Sequence, residues 1–381
     1  MPIQRESSGV LQRIGSIDAF RGLTMGAMVV VNNPGSWSHV YSPLRHADWH
    51  GCTPTDLIFP FFLFAVGAAI AVSKSTATDR SAWLRMLRRS LILFGLGLLL
   101  NASSMLVTRR FDLSHLRIMG VLQRIAICYA LAFSVTRLLR PAGQAMLAGA
   151  VLLAYAAALL WVPFPGRDAA QPLSMTNNLC GWVDRSILGV QHLYKQGAMD
   201  PEGLLSTLPA TVTTLMGFWA GRRLLSSRDG PSAVHALAWA GLLLVFLGWL
   251  WHARFGLPLN KQLWTSSYTL FSAGCSSLVL WACVLIVDRA ELHRLSFPVE
   301  VLGRNAILLF VGSGILARLL SAVRIPADDG RVRTLSTWIY EAFYVPWAGT
   351  LNGSLAYALT WLGFWWVVLY VCWRRKWLLK V

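Results

Sequence analysis

The sequence predicts an all-α integral membrane protein, a polytopic bundle of about ten transmembrane helices. Of its 381 residues, 55% are hydrophobic and only 13% are charged, which is too little polar material to cover a water-soluble globule of this size. Long apolar stretches recur along the chain, each able to cross about 30 Å of hydrocarbon as a helix. The ten-residue alternation of a membrane β-barrel is absent, so helices are the predicted form.

Ten apolar stretches can be placed along the chain, with boundaries accurate to several residues. They cover approximately residues 17–33, 54–73, 84–101, 118–138, 145–163, 203–221, 235–252, 268–287, 300–321 and 353–372. Most connections are short, but three on one face are long, namely residues 34–53, 164–202 and 324–352. The second of these is rich in polar and turn residues and predicts a cap of short helices. We interpret residues 17–372 as one transmembrane domain between two short cytoplasmic tails, residues 1–16 and 373–381.

The basic charge is explained by orientation rather than by a nucleic-acid partner. The chain carries a formal net charge of +17, and its basic side chains gather at the ends of spans. The clearest groups are Lys74, Arg80, Arg85, Arg88 and Arg89, and Arg374, Arg375, Lys376 and Lys380. Basic segments stay in the cytoplasm and an even number of spans returns the chain to one side, so both termini are predicted to be cytoplasmic. The first span lacks a cleavage site, so we expect no removable signal peptide.

The six cysteines show no CxxC or other metal-like spacing, and most of them lie in apolar spans. We interpret them as small core residues and predict no metal site. Cys52 and Cys180 both fall in outer segments, where a disulfide is chemically permitted in an oxidising compartment. The sequence leaves that pairing open.

Charged and amide side chains inside hydrocarbon need a partner, a water-filled cavity or a task. Asp18 and Arg21 stand three residues apart on the first span, where they share a helix face and can form an ion pair. Gln123 and Arg124 lie about two turns into the fourth span, too deep for Arg124 to reach the surface comfortably. Their depth indicates a cavity or an anionic partner.

The first long outer segment holds the most chemically suggestive residues. His46 begins the run 46–51, HADWHG, and Asp56 falls in the predicted first turn of the second helix, where a carboxylate suits the helix dipole. Asn32 precedes the turn residues 33–35, NPG, and a capping role would explain it. A histidine at a membrane edge is either a hydrogen-bonded structural group or a proton acceptor, and these residues alone leave both interpretations open.

Two further regions carry polar groups beside spans. Residues 258–268, PLNKQLWTSSY, lead into the eighth span and suit either the mouth of a cavity or an ordinary interfacial loop with aromatic anchors. Their candidate binding residues are Asn260, Lys261, Trp264, Ser267 and Tyr268. Arg304 and Asn305 lie near the inner end of the ninth span, where they suit helix packing or a ligand.

Several motifs occur together in one order along nearly the whole chain. The most specific are residues 13–22, RIGSIDAFRG; residues 46–51 followed by Thr53 and residues 56–60, DLIFP; and residues 120–124, GVLQR. Others are Asp184-Arg185 with Leu188-Gly189, residues 192–194, HLY, residues 200–203, DPEG, and residues 258–261, PLNK. In these motifs the chain resembles the heparan-α-glucosaminide N-acetyltransferases and their bacterial relatives, within the transmembrane acyltransferase superfamily.

The resemblance implies that acetyl-CoA is the donor, entering from the cytoplasmic side, and that the acceptor is a glucosamine-type amine on the far side. It places His46 at the catalytic histidine and Asn32 at its companion asparagine, and it implies a homodimer. An amine that attacks a thioester must lose a proton, which an imidazole can accept at neutral pH, and an amide such as Asn32 can donate to the developing oxyanion. Direct transfer and a route through an acetylated His46 both remain open.

The anionic phosphates of CoA require basic groups near the inner face, for which Arg21 and Arg304 are the candidates. Substrate or cofactor binding is also expected of Asp18, Asp56, Gln123, Arg124, Asp200, Glu202, Asn305 and the residues of the 258–268 segment named above. The lysosomal enzyme carries a large lumenal region and an additional helix ahead of the part that matches. We therefore expect a bacterial inner-membrane enzyme acting on glucosamine, an amino-sugar oligosaccharide or an envelope glycan, with O-acetylation as a further possibility. The alternative function is an amino-sugar permease.

Overall fold

The structure is a computed structural model, and it describes residues 14–73, 79–107, 112–226, 231–290, 292–326 and 332–379. The expectations for residues 1–13, which include part of the N-terminal tail and Arg13, lie outside this part of the chain, as do those for Lys74 and Lys380. Within it the protein is built from thirteen α-helices. They are α1 (Gly15–Asn32), α2 (Ile58–Val72), α3 (Arg80–Val107), α4 (Val121–Leu138), α5 (Pro141–Trp161), α6 (Leu179–Leu188), α7 (Thr207–Ser226), α8 (Pro231–Arg254), α9 (Ser266–Cys283), α10 (His293–Arg304), α11 (Ala306–Ala322), α12 (Leu335–Phe343) and α13 (Val345–Arg374).

Nine of the ten predicted spans each fall on one helix of this bundle, and the ninth falls on the pair α10 and α11. Six helical segments of the described chain are long and apolar enough to cross a membrane, and a bent pair brings the number to seven if it counts as one span. The six are Pro54–Val72, Val121–Leu138, Pro141–Trp161, Val234–Arg254, Ser266–Arg289 and Val345–Arg374. The chain is therefore a multi-pass helical membrane protein, while the number ten and the side on which the termini lie stay predictions.

The ninth predicted span is not one helix, so this part of the prediction was wrong. The segments Ser296–Arg304 and Ala306–Ala322 meet at 77°, and Asn305 between them leaves the helical region with φ −124° and ψ 42°. The Asn305 side chain donates to the carbonyl oxygen of Trp377 (3.1 Å) and accepts from the backbone N–H of Leu379 (3.0 Å). The break thus serves as an anchor for the C-terminal segment, which is a long-range contact that local periodicity does not show.

The three long connecting segments, residues 34–53, 164–202 and 324–352, differ in how much regular structure they hold. Residues 164–202 contain α6 and the single 3₁₀ turns Val190–His192 and Tyr194–Gln196, which confirms the predicted cap. Residues 324–352, predicted as a loop, instead hold β1 (Arg324–Pro326) paired antiparallel with β2 (Val332–Thr334), then α12 and the start of α13. Strands of three residues are too short to show an alternating pattern, so the all-α prediction missed this hairpin. All six cysteines are free thiols.

Glycines let the central helices touch backbone to backbone, as is common between membrane helices. At Gly67 on α2, an added Cβ would lie 1.8 Å from the carbonyl oxygen of Thr214 on α7. At Gly22 on α1, it would lie 1.7 Å from the carbonyl oxygen of Val299 on α10. The α2–α7 contact holds in place α2, which directly follows the 3₁₀ turn Pro54–Leu57 that carries Asp56.

We expect Gly67→Ala to lower the thermal unfolding midpoint, because the methyl group would force α2 and α7 apart at a cost of about 1–3 kcal/mol. Gly95→Ala on α3 is the matched control, since nothing lies within 4 Å of its added Cβ. Fluorescence-detected unfolding of the purified proteins compares the two. Equal midpoints for both variants would contradict the packing described for α2 and α7.

Candidate active site

His46 and Asp56 form a histidine–carboxylate pair at one end of the bundle. The His46 Nδ1 atom lies 2.7 Å from Asp56 Oδ1, and the two side chains are 47% and 2% exposed. Asp56 is placed by its own helix start, with Thr53 as the N-cap residue and Pro54 in the first helical position. Its other oxygen, Oδ2, accepts from the backbone N–H groups of Ala47 and Thr53, both at 3.0 Å. One carboxylate therefore secures the loop and orients the imidazole.

This geometry determines which imidazole nitrogen is available for chemistry. An ionised carboxylate only accepts hydrogen bonds, so the proton of a neutral His46 belongs on Nδ1, facing Asp56. The lone pair is then on Nε2 of a side chain that is about half exposed. This is the arrangement in which an acidic residue holds a general base in its working tautomer.

Lys261 brings a cation to the same pair from the loop between α8 and α9. Its Nζ atom lies 3.1 Å from His46 Nδ1 and 3.5 Å from Asp56 Oδ1. Burial lowers the pKa of Lys261, and the neighbouring carboxylates of Asp56 and Glu202 oppose that effect. Because His46 already donates to Asp56, we interpret the ammonium as a counter-charge to Asp56 rather than as a donor to His46.

Asn260 explains how Lys261 reaches a histidine that is 215 residues away. The Asn260 side chain is fully buried, donates to the carbonyl oxygen of Trp49 (2.9 Å) and accepts from the backbone N–H of Leu263 (2.8 Å). The backbone N–H of Gly51 donates to the Leu259 carbonyl oxygen (2.8 Å). These bonds tie the histidine loop to residues 258–264, so Asn260 is a positioning residue.

The pair opens onto a cavity of about 650 Å³, a volume typical of small-molecule sites. Its polar and aromatic walls include His46, Asp56, Arg117, Tyr194, Glu202, Lys261 and Trp264. Trp264 adopts φ +51°, which is uncommon for a bulky side chain, and its indole donates to the hydroxyl of Thr213 (3.2 Å). Tyr268 lies behind it and donates to the Asp56 carbonyl oxygen (2.6 Å). A strained, fully buried tryptophan thus forms one wall of the cavity.

A second charged group, centred on Arg117, also borders the cavity. Arg117 Nε and Nη2 bond both oxygens of Asp200, at 2.8 and 2.6 Å, and Nη2 also bonds Glu202 Oε2 at 2.5 Å. The ring of Tyr194 lies 4.7 Å from the guanidinium carbon. We did not single out Arg117 or Tyr194 from the sequence. The sequence did contain an indication of such a partner, because the acidic residues Asp200 and Glu202 lie two positions apart and favour a cation between them.

Asp184 supports this group from α6. It is fully buried and accepts from the backbone N–H groups of Asp200 (3.3 Å) and Leu204 (2.9 Å). Burial raises the pKa of Asp184 to about 6, which the two backbone hydrogen bonds only partly offset. The carboxyl group therefore titrates far closer to neutral pH than an exposed aspartate does.

This shift predicts a pH-dependent stability. The pKa of Asp184 in the folded protein, about 6, exceeds the ordinary 3.8, so the folded state keeps a proton that the unfolded chain releases. The stabilisation is complete below about pH 4 and is lost as the pH rises through 6, with a limit of about 3 kcal/mol. We expect the unfolding midpoint of the wild type to fall over this range relative to that of Asp184→Asn. Parallel curves for the two proteins would contradict this assignment.

Arg124 lies behind Trp264, fully buried in the bundle. One of its nitrogens, Nη2, donates to the carbonyl oxygen of Gly203 (3.1 Å) and to the hydroxyl of Ser206, and the guanidinium carbon lies 5.2 Å from the Trp264 ring. Its Nε and Nη1 atoms, like Nε2 of the buried Gln123, have no hydrogen-bond partner among the described residues. Arg124 is thus adjacent to the cavity wall without reaching the cavity itself.

The structure brings some predicted site residues to this cavity and leaves others elsewhere. Lining it are His46, Asp56, Glu202, Lys261 and Trp264, while Asp200, Asn260, Tyr268 and Arg124 contact its wall residues. Ser267 is buried and donates to the Pro258 carbonyl oxygen (3.1 Å). Asn32 lines a separate cavity of about 610 Å³ between the ends of α1 and α11 and the helices α12 and α13.

The remaining predicted residues lie on other helices. Asp18 and Arg21 form the expected ion pair, with Arg21 Nη2 3.2 Å from Asp18 Oδ1. Arg304 Nη2 lies 3.8 Å from Glu300 Oε2, and its guanidinium carbon lies 5.8 Å from the Trp373 ring. Both arginines therefore have partners within the protein.

The fold and the site describe a multi-pass membrane protein with a histidine–carboxylate pair on a polar cavity. A sequence model of the family described as heparan-alpha-glucosaminide N-acetyltransferase, catalytic, matches residues 13–250, and the chain belongs to this family. The chain is 28% identical over 368 residues to the mouse heparan-alpha-glucosaminide N-acetyltransferase, with 83% of this chain and 55% of the mouse protein covered. It is 29% identical over 364 residues to the human protein of that name, with 80% and 53% covered.

The chain thus spans about half the length of the curated relatives that it matches. The match to the family includes His46, Asp56, Arg117, Arg124 and Glu202 but ends before Lys261 and Trp264. The identity to the two mammalian proteins extends over most of the chain.

Proposed function

We propose that this protein transfers an acetyl group from acetyl-CoA to the amine of a glucosamine-type sugar, with His46 as the general base. The observation that carries the proposal is the contact of His46 Nδ1 with Asp56 Oδ1 (2.7 Å) at the edge of a cavity large enough for a sugar ring. Membership of a family described as glucosaminide N-acetyltransferases supports the choice of reaction.

In this mechanism the amine nitrogen of the acceptor attacks the thioester carbonyl carbon, and His46 Nε2 takes the proton that the amine loses. Asp56 stabilises the imidazolium that forms, because its carboxylate faces the Nδ1–H. The C–S bond then breaks, and the imidazolium returns a proton to the departing thiolate of CoA. The base is thereby regenerated, and atoms and charges balance.

A cation beside the pair supports the same step. Lys261 Nζ lies 3.1 Å from His46 Nδ1 and 3.5 Å from Asp56 Oδ1, so its charge favours the ionised Asp56 that orients the imidazole. The oxyanion that forms on the thioester carbonyl needs a separate donor. Asn32, for which the resemblance implies this role, lines the neighbouring cavity instead. Its participation stays a prediction that requires the loop of residues 33–45 to bring the two cavities together.

For the acceptor, the wall of the cavity offers groups of the kind that bind an amino sugar. Glu202 provides a carboxylate for hydroxyl or amine donors, and the rings of Tyr194 and Trp264 provide apolar faces for a pyranose. We propose that the acceptor binds here on the extracytoplasmic side, while the donor enters from the cytoplasm. A homodimer in a bacterial inner membrane, with both termini cytoplasmic, completes the proposal.

The test is transfer of labelled acetyl from acetyl-CoA to glucosamine by the purified protein in lipid nanodiscs. We expect labelled N-acetylglucosamine to form in proportion to enzyme. Sugar uptake into proteoliposomes without acetyl-CoA, and no labelled product in the transfer assay, would contradict the proposal and favour the permease.

A further inference from the structure

A basic cavity of about 350 Å³ lies at the other end of the helices that carry the His46 site. It is enclosed by the end of α2, the first half of α3 and the second half of α4. Three arginines of α3, Arg85, Arg88 and Arg89, and two rings of α4, Tyr129 and Phe133, line it. None of these residues takes part in the mechanism proposed above.

Helical spacing accounts for this arrangement. Arg88 and Arg89 follow Arg85 by three and four residues on α3, so the three side chains share one face of the helix. Tyr129 and Phe133 are four residues apart on α4 and present their rings on the side that faces α3. The guanidinium carbon of Arg89 lies 4.9 Å from the centre of the Tyr129 ring. The sequence thus builds a cavity with cations on one wall and aromatic rings on the other.

The positive charge of this cavity is not balanced within the described part of the chain. Arg85 pairs with Asp79 (3.2 Å) at the surface, whereas none of the described lining residues is acidic. The Nε atom of Arg89 is buried without a hydrogen-bond partner among the described residues. Membrane orientation explains why arginines gather on this side. It does not explain a buried donor without an acceptor, since buried donors are nearly always paired.

We propose that this cavity binds the phosphate of an organic phosphate. Guanidinium groups pair with phosphate oxygens through two parallel hydrogen bonds, and a phosphate placed here would accept from Arg89 and neutralise Arg88. Two sources share this chemistry, the nucleotide end of CoA and the headgroup of an anionic phospholipid. The first assignment rests on the proposed function; the phosphate site itself does not.

The geometry makes the nucleotide of CoA a reasonable occupant. Phe59 on α2 and Val121 on α4 line the His46 cavity, and Ile70 and Tyr129 on the same two helices line the arginine cavity. At 1.5 Å per residue these pairs are separated by roughly 12–17 Å along the helices. A donor held by its phosphates at one end would therefore direct its thioester along α2 and α4 towards His46.

Binding of adenosine 3′,5′-bisphosphate to the full-length protein in phosphatidylcholine nanodiscs, followed by calorimetry, tests the nucleotide. We expect Arg88→Gln and Arg89→Gln each to weaken binding roughly tenfold or more. Arg88 is exposed, so its replacement does not disturb the packing. Arg140→Gln, an exposed arginine between α4 and α5 at the same end of the bundle, is the matched control and should bind as the wild type does.

The lipid is tested by native mass spectrometry of the same variants from nanodiscs that contain phosphatidylglycerol. If the occupant is a headgroup, Arg88→Gln and Arg89→Gln retain less of this lipid than Arg140→Gln does, and the nucleotide probe shows no dependence on them. Either result supports a phosphate site. Wild-type behaviour of both variants with both probes overturns it. Neither measurement requires turnover. Both can therefore be interpreted even if the protein shows no acetyl transfer.

Discussion

Replacing His46 with alanine is expected to reduce acetyl transfer by about 10²–10⁴-fold, which is the contribution typical of a positioned general base. The side chain is half exposed at 47%, so the folded structure and the unfolding midpoint should change little. Initial rates with labelled acetyl-CoA and glucosamine measure the effect.

His115→Ala is the matched control for this variant. His115 also contacts a carboxylate, with its Nδ1 atom 2.8 Å from Asp112 Oδ2, yet it does not line the His46 cavity. We expect it to retain wild-type rates. Wild-type activity in His46→Ala, or an equal loss in both variants, would rule out the role assigned to this imidazole.

The wild-type protein can be used to distinguish direct transfer from transfer through an acetylated His46. In direct transfer, mixing the enzyme with acetyl-CoA alone releases no CoA, because the acceptor amine is the only nucleophile. If His46 carries the acetyl group, one equivalent of CoA appears in a burst before any acceptor is added. The burst would vanish in His46→Ala.

Replacing Asp56 with asparagine is expected to lower the rate by roughly 10²–10⁴-fold, and the upper value is the loss that the corresponding change causes in a serine-protease triad. An amide can turn its N–H₂ group towards His46 Nδ1, which favours the tautomer with the proton on Nε2, where the base must be free. Rates at saturating and at low acceptor concentration should show the loss in kcat rather than in KM.

This substitution also carries a structural cost that must be separated from the catalytic one. Asp56 Oδ2 accepts from the backbone N–H groups of Ala47 and Thr53, and an amide placed there satisfies fewer of these donors, at about 1–3 kcal/mol. Asp48→Asn, the same change at an exposed position of the same loop, should leave both rate and stability unaltered. A variant of Asp56 with lowered stability but wild-type kcat would show that this carboxylate is only structural.

Much of the fold was predictable because it follows from local physical chemistry. A chain with long apolar stretches can satisfy its backbone in lipid only as helices, and nine of the ten stretches coincide with one helix each. The position of Asp56 in a first helical turn was also predictable, since Thr53 and Pro54 are residue types that commonly begin a helix. The break at Asn305 was not predictable, because the hydrogen-bond partner of its side chain is in the C-terminal segment, 72 residues away.

For the site, the sequence by itself determined that polar and titratable side chains flank several spans, and that His46 and Asp56 stand ten residues apart near one membrane edge. Only the tertiary structure decided which distant groups join them. It brings Lys261 from the loop before α9 and Arg117 to Asp200 across 83 residues, and it places Asn32 on another cavity. The physical reason is that side-chain spacing along one helix fixes a face, whereas the neighbour of that face is chosen by packing between helices that the local pattern does not encode.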